Sequence, residues 1–300
     1  MFELIDMVIV RPITNILFVI YGVVGDFGLA IILFTILVKI LLWPLVKQQM
    51  HQTRLMRKIQ PELAEIKKNC NGNRQLESLQ MMDLYKRNNI KPFRSMLTLF
   101  IQLPIFIALY TAVRVMVLPT PDDNLERRAY APIREIERIN EVINLQQPYL
   151  RYTEEVKQIR SEGGSEEEIN DKISKIPEVT YDFHPKLFNF LNLDQRPGFT
   201  STDALIMMLF AILSALTQYW ISSQQLPSKK SAKSRTFRQL MKEAADGKEP
   251  DQAELNTIMS SQMSKTMPIM MFIVMINLPG ALVFYYMISN LITGAQQKYL

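Results

Sequence analysis

Between Phe27 and Val46 the chain reads FGLAIILFTILVKILLWPLV, twenty residues that are apolar except for one lysine. A helix of that length covers about 30 Å, the thickness of a hydrocarbon core, so the pattern predicts a first membrane span over 27–46. A second apolar run, 93–118, is interrupted by Pro104 and carries Gln102 and Arg114, and a third covers 203–225. The last apolar segment is divided by Asn277-Leu278-Pro279-Gly280, a turn signal, which predicts short spans over 266–278 and 280–298. A single kinked span competes with that hairpin, whose first arm falls well short of 30 Å and implies local thinning of the membrane. Residues 1–26 hold only fourteen uncharged residues between Pro12 and Gly25, with Glu3, Asp6 and Arg11 before them. The prediction there is an interfacial helix on the outer surface. With no basic start and no small-residue cleavage site, it reads as mature sequence.

The polar segments between these runs are also helical in pattern. In 47–92, Leu55, Ile59, Leu63 and Ile66 recur at helical spacing, residues 69–73 are a turn, and Leu76, Leu79, Met82 and Tyr85 resume the period. A helical hairpin follows. In 119–202, Leu125, Ala129, Ile133, Ile136 and Ile143 predict an amphipathic helix, Gly163-Gly164 breaks the chain, and Ser165 with Glu168 spells a capping box for another helix. The break suggests that this insert is a separable module, helical and not catalytic. Residues 226–265 form a loop opening on the basic run PSKKSAKSR.

Charge gives these segments sides. Residues 47–94 hold eleven Lys/Arg against four acids, and 226–265 hold eight against five. The positive-inside rule places both in the cytoplasm. The 119–202 insert, with sixteen acids and eleven bases, falls outside by counting spans. The amino end is then outside and the carboxyl end inside. A content of 48% hydrophobic residues fits a polytopic helical membrane protein better than a soluble enzyme, and the single cysteine, Cys70, excludes an internal disulfide.

Lys39 is the conspicuous candidate residue. A lysine near a bilayer centre costs about 2.5–3.5 kcal/mol on insertion scales, so it faces protein or water, or snorkels to the nearer surface. On a regular helix it stacks with Thr35 and Trp43, the latter a candidate cation–π partner. Ser95, Thr98 and Gln102, then Ser214 and Gln218, then Ser289, Asn290 and Thr293 fall in the cytoplasmic halves of three other spans. Ordinary helix-to-helix hydrogen bonding explains each stripe alone. Their common depth points to an inner-leaflet cavity that admits water. Met207, Met208, Met267, Met270, Met271 and Met275 add adaptable surface or simple lipid-facing bulk. Catalytic motifs HExxH and G-x-S-x-G are absent from the sequence, no carboxylate lies deep in a span, and His51 and His184 fall in loops. No enzyme activity, cofactor, metal site or small-molecule substrate is expected.

The blocks IILFTILVKILLWPLVKQQ, LYKRNNIKPFRSMLTLFIQLPIFIALY, LFNFLNLD and SSQMSKTMPIMMFIVMINLPGALVFYYMISNLITGAQQ stand in this order. Together they resemble the YidC-type membrane protein insertase family. The resemblance implies an all-α fold of five transmembrane helices around an inner-leaflet hydrophilic groove, with a cytoplasmic helical hairpin, in a bacterial inner (cell) membrane. It also implies insertase and chaperone activity without ATP hydrolysis. Nascent membrane proteins and the lipid bilayer are the implied partners, and a ribosome and a Sec-type translocon are further candidates. Two departures stand out. The family's usual intramembrane arginine aligns with Lys39, and the insert before LFNFLNLD is longer than the family's short loop. The runner-up is a solute or ion transporter using Lys39, against which no internal repeat is visible and the polar positions stop halfway across.

The charge pattern makes a direct prediction. Protease added outside spheroplasts is expected to cut within 120–200 and to leave 228–265 whole; cleavage within 228–265 from that side would end the five-span topology.

Overall fold

A computed structural model of the chain describes residues 2–70, 73–90, 97–163, 165–181, 183–225, 266 and 268–299. The expected loop 226–265, Ser95 and Met267 lie outside the described residues, as does the side chain of Thr98. The chain divides into two compact units, residues 1–38, 101–211 and 276–288 in the first and 39–100, 212–275 and 289–300 in the second.

In the first unit a short helix α1 (Phe2–Ile5) runs through a π-helical turn, Asp6–Val10, into α2 (Arg11–Val24). The stretch Glu3–Val24 is long and apolar enough to cross a membrane. By length and composition alone this stretch admits a span as well as the interfacial placement expected from the sequence. Two of the charges that shortened the apolar run, Asp6 and Arg11, meet partners distant in sequence. Arg128 Nη1 donates to both carboxylate oxygens of Asp6 at 2.6 and 2.7 Å. The Arg11 guanidinium donates to the carbonyls of Arg127 and Arg128 at 2.5 and 3.2 Å and lies over the Tyr130 ring. Gly25, with φ of 77°, ends α2, and the Asp26 carboxylate accepts from the Leu29 N–H at 2.7 Å to cap α3 (Phe27–Leu41).

The single amphipathic helix expected from Leu125 to Ile143 is divided. Asn124 caps a first turn, α8 (Leu125–Arg128), Pro132 opens a second, α9 (Ala131–Arg134), and extended backbone at Ile136 precedes α10 (Glu137–Ser161). The apolar face survives the breaks. Leu125, Ala129, Ile133, Ile139, Val142, Ile143 and Leu150 are all buried. Gln146, also buried, accepts from the Leu125 N–H at 3.3 Å and donates to the Val115 carbonyl at 2.7 Å near the end of α7 (Leu97–Val117). Tyr181 donates to the Met116 carbonyl at 2.6 Å. Most of the insert is thus knitted to its neighbours and is not a separable module. Only α11 (Glu166–Ser174), which forms the expected Ser165–Glu168 capping box, has no buried residue. A further departure from all-α is a two-stranded antiparallel hairpin, β1 (Lys186–Leu187) with β2 (Leu191–Asn192).

In the second unit the expected helical hairpin is built from α4 (Trp43–Lys58), α5 (Gln60–Asn69) and α6 (Arg74–Arg87). Ile59, Leu84 and Ile90 form its core, packed by Leu55, Met56, Leu63, Ile66 and Tyr85. Asn73 caps α6 by accepting from the Leu76 N–H. His51 lies inside α4, not in a loop. The expected continuous span 27–46 breaks at Leu42, with a 61° bend between Phe27–Leu41 and Trp43–Met56. Pro44 explains this, since it cannot donate to the Ile40 carbonyl and fits the first turn of a new helix. Helix α12 (Thr202–Gln225) starts in the first unit and ends in the second. Residues 268–275 form α13, turns follow at 276–278, and α14 (Gly280–Tyr299) restarts after Pro279. Among the described residues, Glu3–Val24 and Thr202–Ser223 qualify as membrane spans by length and composition, and the bent α3–α4 pair qualifies as a third if it is one span.

Excising residues 163–178 with a short Gly/Ser joint is expected to leave thermal stability in detergent almost unchanged. Gln146→Leu is expected to cost about 1–3 kcal/mol for each backbone group it orphans. Equal melting temperatures for Gln146→Leu and the parent would show that this amide does not tie the insert down.

Candidate functional site

Lys39 occupies the last turn of α3, ahead of the break at Leu42. Its ammonium donates to Thr293 Oγ1 at 2.9 Å. The Thr293 hydroxyl in turn donates to the Ser289 carbonyl at 2.8 Å, one helical turn back along α14. Ser289, Asn290 and Thr293 share a face of α14 because three- and four-residue spacings stack on a helix. Asn290 Nδ2 donates to Ser214 twice, to the carbonyl at 3.1 Å and to Oγ at 3.0 Å. Ser214 is fully buried in α12, and Ser289 is buried as well. Gln218, one turn further along α12, is half-buried. Polar groups of α3, α12 and α14 therefore meet within the second unit. Among the described residues Lys39 has no carboxylate partner, so its charge is met only by a neutral hydroxyl.

Among the described residues no hydrogen bond joins the other predicted site residues to this cluster. Thr35 and Gln102 belong to the first unit. The Thr35 hydroxyl is buried and returns to the Ile31 carbonyl at 2.6 Å, and Gln102 donates to the Tyr285 hydroxyl at 2.7 Å. Trp43 begins α4 beyond the break, so it no longer stacks a regular turn after Lys39. No cation–π contact joins the two among the described residues. Ser95 and the Thr98 side chain are not described.

Sequence reasoning passed over two features, one in each unit. Tyr285, the partner of Gln102, is nearly inaccessible and carried no signal beyond its aromatic neighbours. Gly294 lets α14 meet the Trp220 ring, since a Cβ there would lie 2.9 Å from Trp220 Cζ3. Beside that contact an apolar cleft of about 420 Å³ opens between α12 and α14, lined by Leu216, Trp220, Leu291 and Ala295 with Lys298 at one end.

A family model described as 60Kd inner membrane protein matches residues 19–300. The chain belongs to this family. Among curated relatives it is similar to a membrane protein insertase YidC of Shewanella halifaxensis, 43% identical over 99 residues, covering 33% of this chain and 18% of the relative. The YidC of Caulobacter vibrioides is 38% identical over 107 residues, covering 36% of this chain and 17% of the relative. That of Fusobacterium nucleatum is 37% identical over 109 residues, covering 36% and 53%. The chain thus spans about a fifth of the length of most of these relatives and about half of the last. Membership of this family and its apolar helices make the chain a membrane protein.

The Asn290–Ser214 bridge generates a stability prediction. Interhelical hydrogen bonds in membranes average about 0.6 kcal/mol and reach about 1.7. A double-mutant cycle of Asn290→Leu with Ser214→Ala, read by thermal unfolding in detergent, is expected to return a coupling in that range. Strict additivity would remove the bridge from the account.

Proposed function

We propose that the chain is a membrane protein insertase and chaperone, and that Lys39 with Thr293, Ser289, Asn290, Ser214 and Gln218 lines a polar groove for its clients. The observation that carries this is an ammonium on an apolar helix whose hydrogen-bond partner is a neutral hydroxyl. Such a group keeps its attraction for an incoming anion. In a medium of intermediate dielectric, with ε about 20, two unit charges about 4 Å apart interact by about 4 kcal/mol, against about 1 in bulk water. A polar segment of a nascent membrane protein enters this groove from the cytoplasm. Its hydrophilic residues then cross part of the membrane among Asn, Ser, Thr and Lys side chains and water, which lowers the cost of carrying them through hydrocarbon. The client's apolar helix leaves sideways into lipid.

In this reading the chain has five transmembrane helices with its amino end outside and its carboxyl end in the cytoplasm of a bacterium, and α4–α6 form the cytoplasmic hairpin that meets the client first. The basic composition of residues 47–94 supports that side. Membership of a family whose curated relatives are named insertases favours this over solute or ion transport. A ribosome and a Sec-type translocon are partners of the same proposal.

Lys39→Met keeps the apolar stem and removes the charge. It is expected to slow insertion of clients with acidic translocated tails roughly tenfold, since even a screened attraction of about 1–4 kcal/mol is lost. Clients with neutral tails suffer less, and Lys39→Arg retains activity. Reconstituted insertion assays with matched acidic and neutral tails check this. Equal rates for Lys39→Met on both would refute the electrostatic role.

A further inference from the structure

The hairpin of β1 and β2 is anchored firmly at its base and bare at its tip. At the base, Leu187, Leu191 and Leu193 are buried. Leu187 packs against the start of α3 so closely that a Cβ at Gly28 would come within 2.5 Å of its Cβ. The Ala281 N–H donates to the Leu193 carbonyl at 2.6 Å, and the Gly280 N–H donates to the Gln195 carbonyl at 2.9 Å, which ties the strand to the first turn of α14. These contacts hold the hairpin at the amino-terminal ends of two apolar helices. That is the level at which a membrane helix leaves water and enters the headgroups.

At the tip, the register Leu187↔Leu191 leaves a three-residue loop, Phe188 to Phe190. Phe188 and Asn189 have φ of 49° and 60°, and the Phe190 N–H donates to the Leu187 carbonyl at 3.3 Å. Left-handed backbone is unusual for a bulky residue, and tight hairpin turns of this kind favour Asn-Gly or Gly-Gly. A phenylalanine is held there against its backbone preference, yet Phe188 and Phe190 are 61% and 68% exposed. Phe199, just before α12, is 82% exposed. These rings gain nothing from a protein core. Behind the tip is a polar cleft of about 540 Å³ whose lining includes Arg138, Lys186 and Asn189. Its carboxylate Asp26 is engaged as the cap of α3, and His184 is paired with Asp194 at 2.8 Å. Two cations behind a pair of exposed aromatic rings match the order of phosphate and upper acyl chain at a leaflet surface.

We propose that the Phe188–Phe190 loop is a membrane anchor whose rings seat in the headgroup and upper acyl region of the leaflet at the amino-terminal end of α3. The anchor holds α3 and α14 at a set depth through Leu187, Leu193 and Gly280. It is independent of the insertase reading, because it requires only that the chain resides in a membrane.

The test is optical and needs no client protein. The full chain carrying Trp43→Phe, Trp220→Phe and Phe190→Trp is reconstituted in phosphatidylcholine vesicles brominated either at carbons 6 and 7 or at carbons 11 and 12. The expected result is blue-shifted emission, quenched at least twofold more by the shallow bromines than by the deep ones, and resistant to aqueous iodide. Emission typical of indole in water, quenched by iodide and indifferent to bromine, would overturn the proposal. So would emission indifferent to both quenchers, which would place the loop in a contact between proteins. If the doubly substituted background does not fold, a nitroxide on Phe190→Cys in a Cys70→Ser chain answers the same question by its relative relaxation with oxygen and with a water-soluble nickel complex.

Discussion

A charge or an unpaired backbone group in hydrocarbon has to be satisfied within the protein or by water that the protein admits. Lys39 applies that constraint to the second unit. Its ammonium is answered from α14 by Thr293, while the same face of α14 answers α12 through Asn290 and Ser214. One polar face on one helix thus serves two neighbours. Gly294, on the turn after Asn290, then allows the Trp220 ring to come close, so polar and apolar contacts between α12 and α14 alternate along the helix.

Side-chain pairing of the same kind ties down the long insert in the first unit. Asp6 and Arg11 sit in a helix that is otherwise long and apolar enough to cross a membrane. Their partners, Arg128 and the carbonyls of Arg127 and Arg128, come from the insert more than a hundred residues later. Asn15 extends the pairing, donating to the Arg128 carbonyl at 3.0 Å and accepting from the Tyr130 N–H at 2.8 Å. Arg114, near the end of α7, meets Asp123. Far from being an appendage, this part of the insert supplies the counter-charges and hydrogen bonds that let charged residues sit at the ends of apolar helices.

What could be read from the chain in advance divides along the same line. Local devices were visible: the helical period through Leu55, Ile59, Leu63 and Ile66, the turn near residue 70, and the Ser165–Glu168 capping box each depend on residues a few positions apart. Non-local ones were hidden. Asp6 and Arg11 looked like limits to an apolar run because their partners lie in another segment. The division of Leu125–Ile143 into three pieces follows from Asn124, Pro132 and the extended backbone at Ile136, which leave the apolar period intact and so left it looking continuous. For the candidate site, the spacing of Ser289, Asn290 and Thr293 announced a shared face. That Lys39 would choose Thr293, that Asn290 would choose Ser214, and that Gln102 would be taken by Tyr285 are choices made by packing, on which periodicity is silent.

The direction of the hydrogen bonds at Lys39 bears on why a lysine suits this position. An ammonium can only donate, so the Thr293 oxygen accepts from it, and the Thr293 proton is directed to the Ser289 carbonyl. The chain of donors ends on a neutral backbone oxygen and contains no carboxylate. Among the described residues no carboxylate joins it, and the groove proposed above uses that positive charge to attract an anionic group. A guanidinium carries five donors in a fixed plane and is best satisfied by bidentate acceptors, whereas the acceptor found here is one hydroxyl, and a compact ammonium on a flexible stem can turn its other donors elsewhere. Among the described residues the lysine therefore combines one structural hydrogen bond with a charge that no carboxylate meets, and the acceptor geometry that an arginine fork would need is not required of α14.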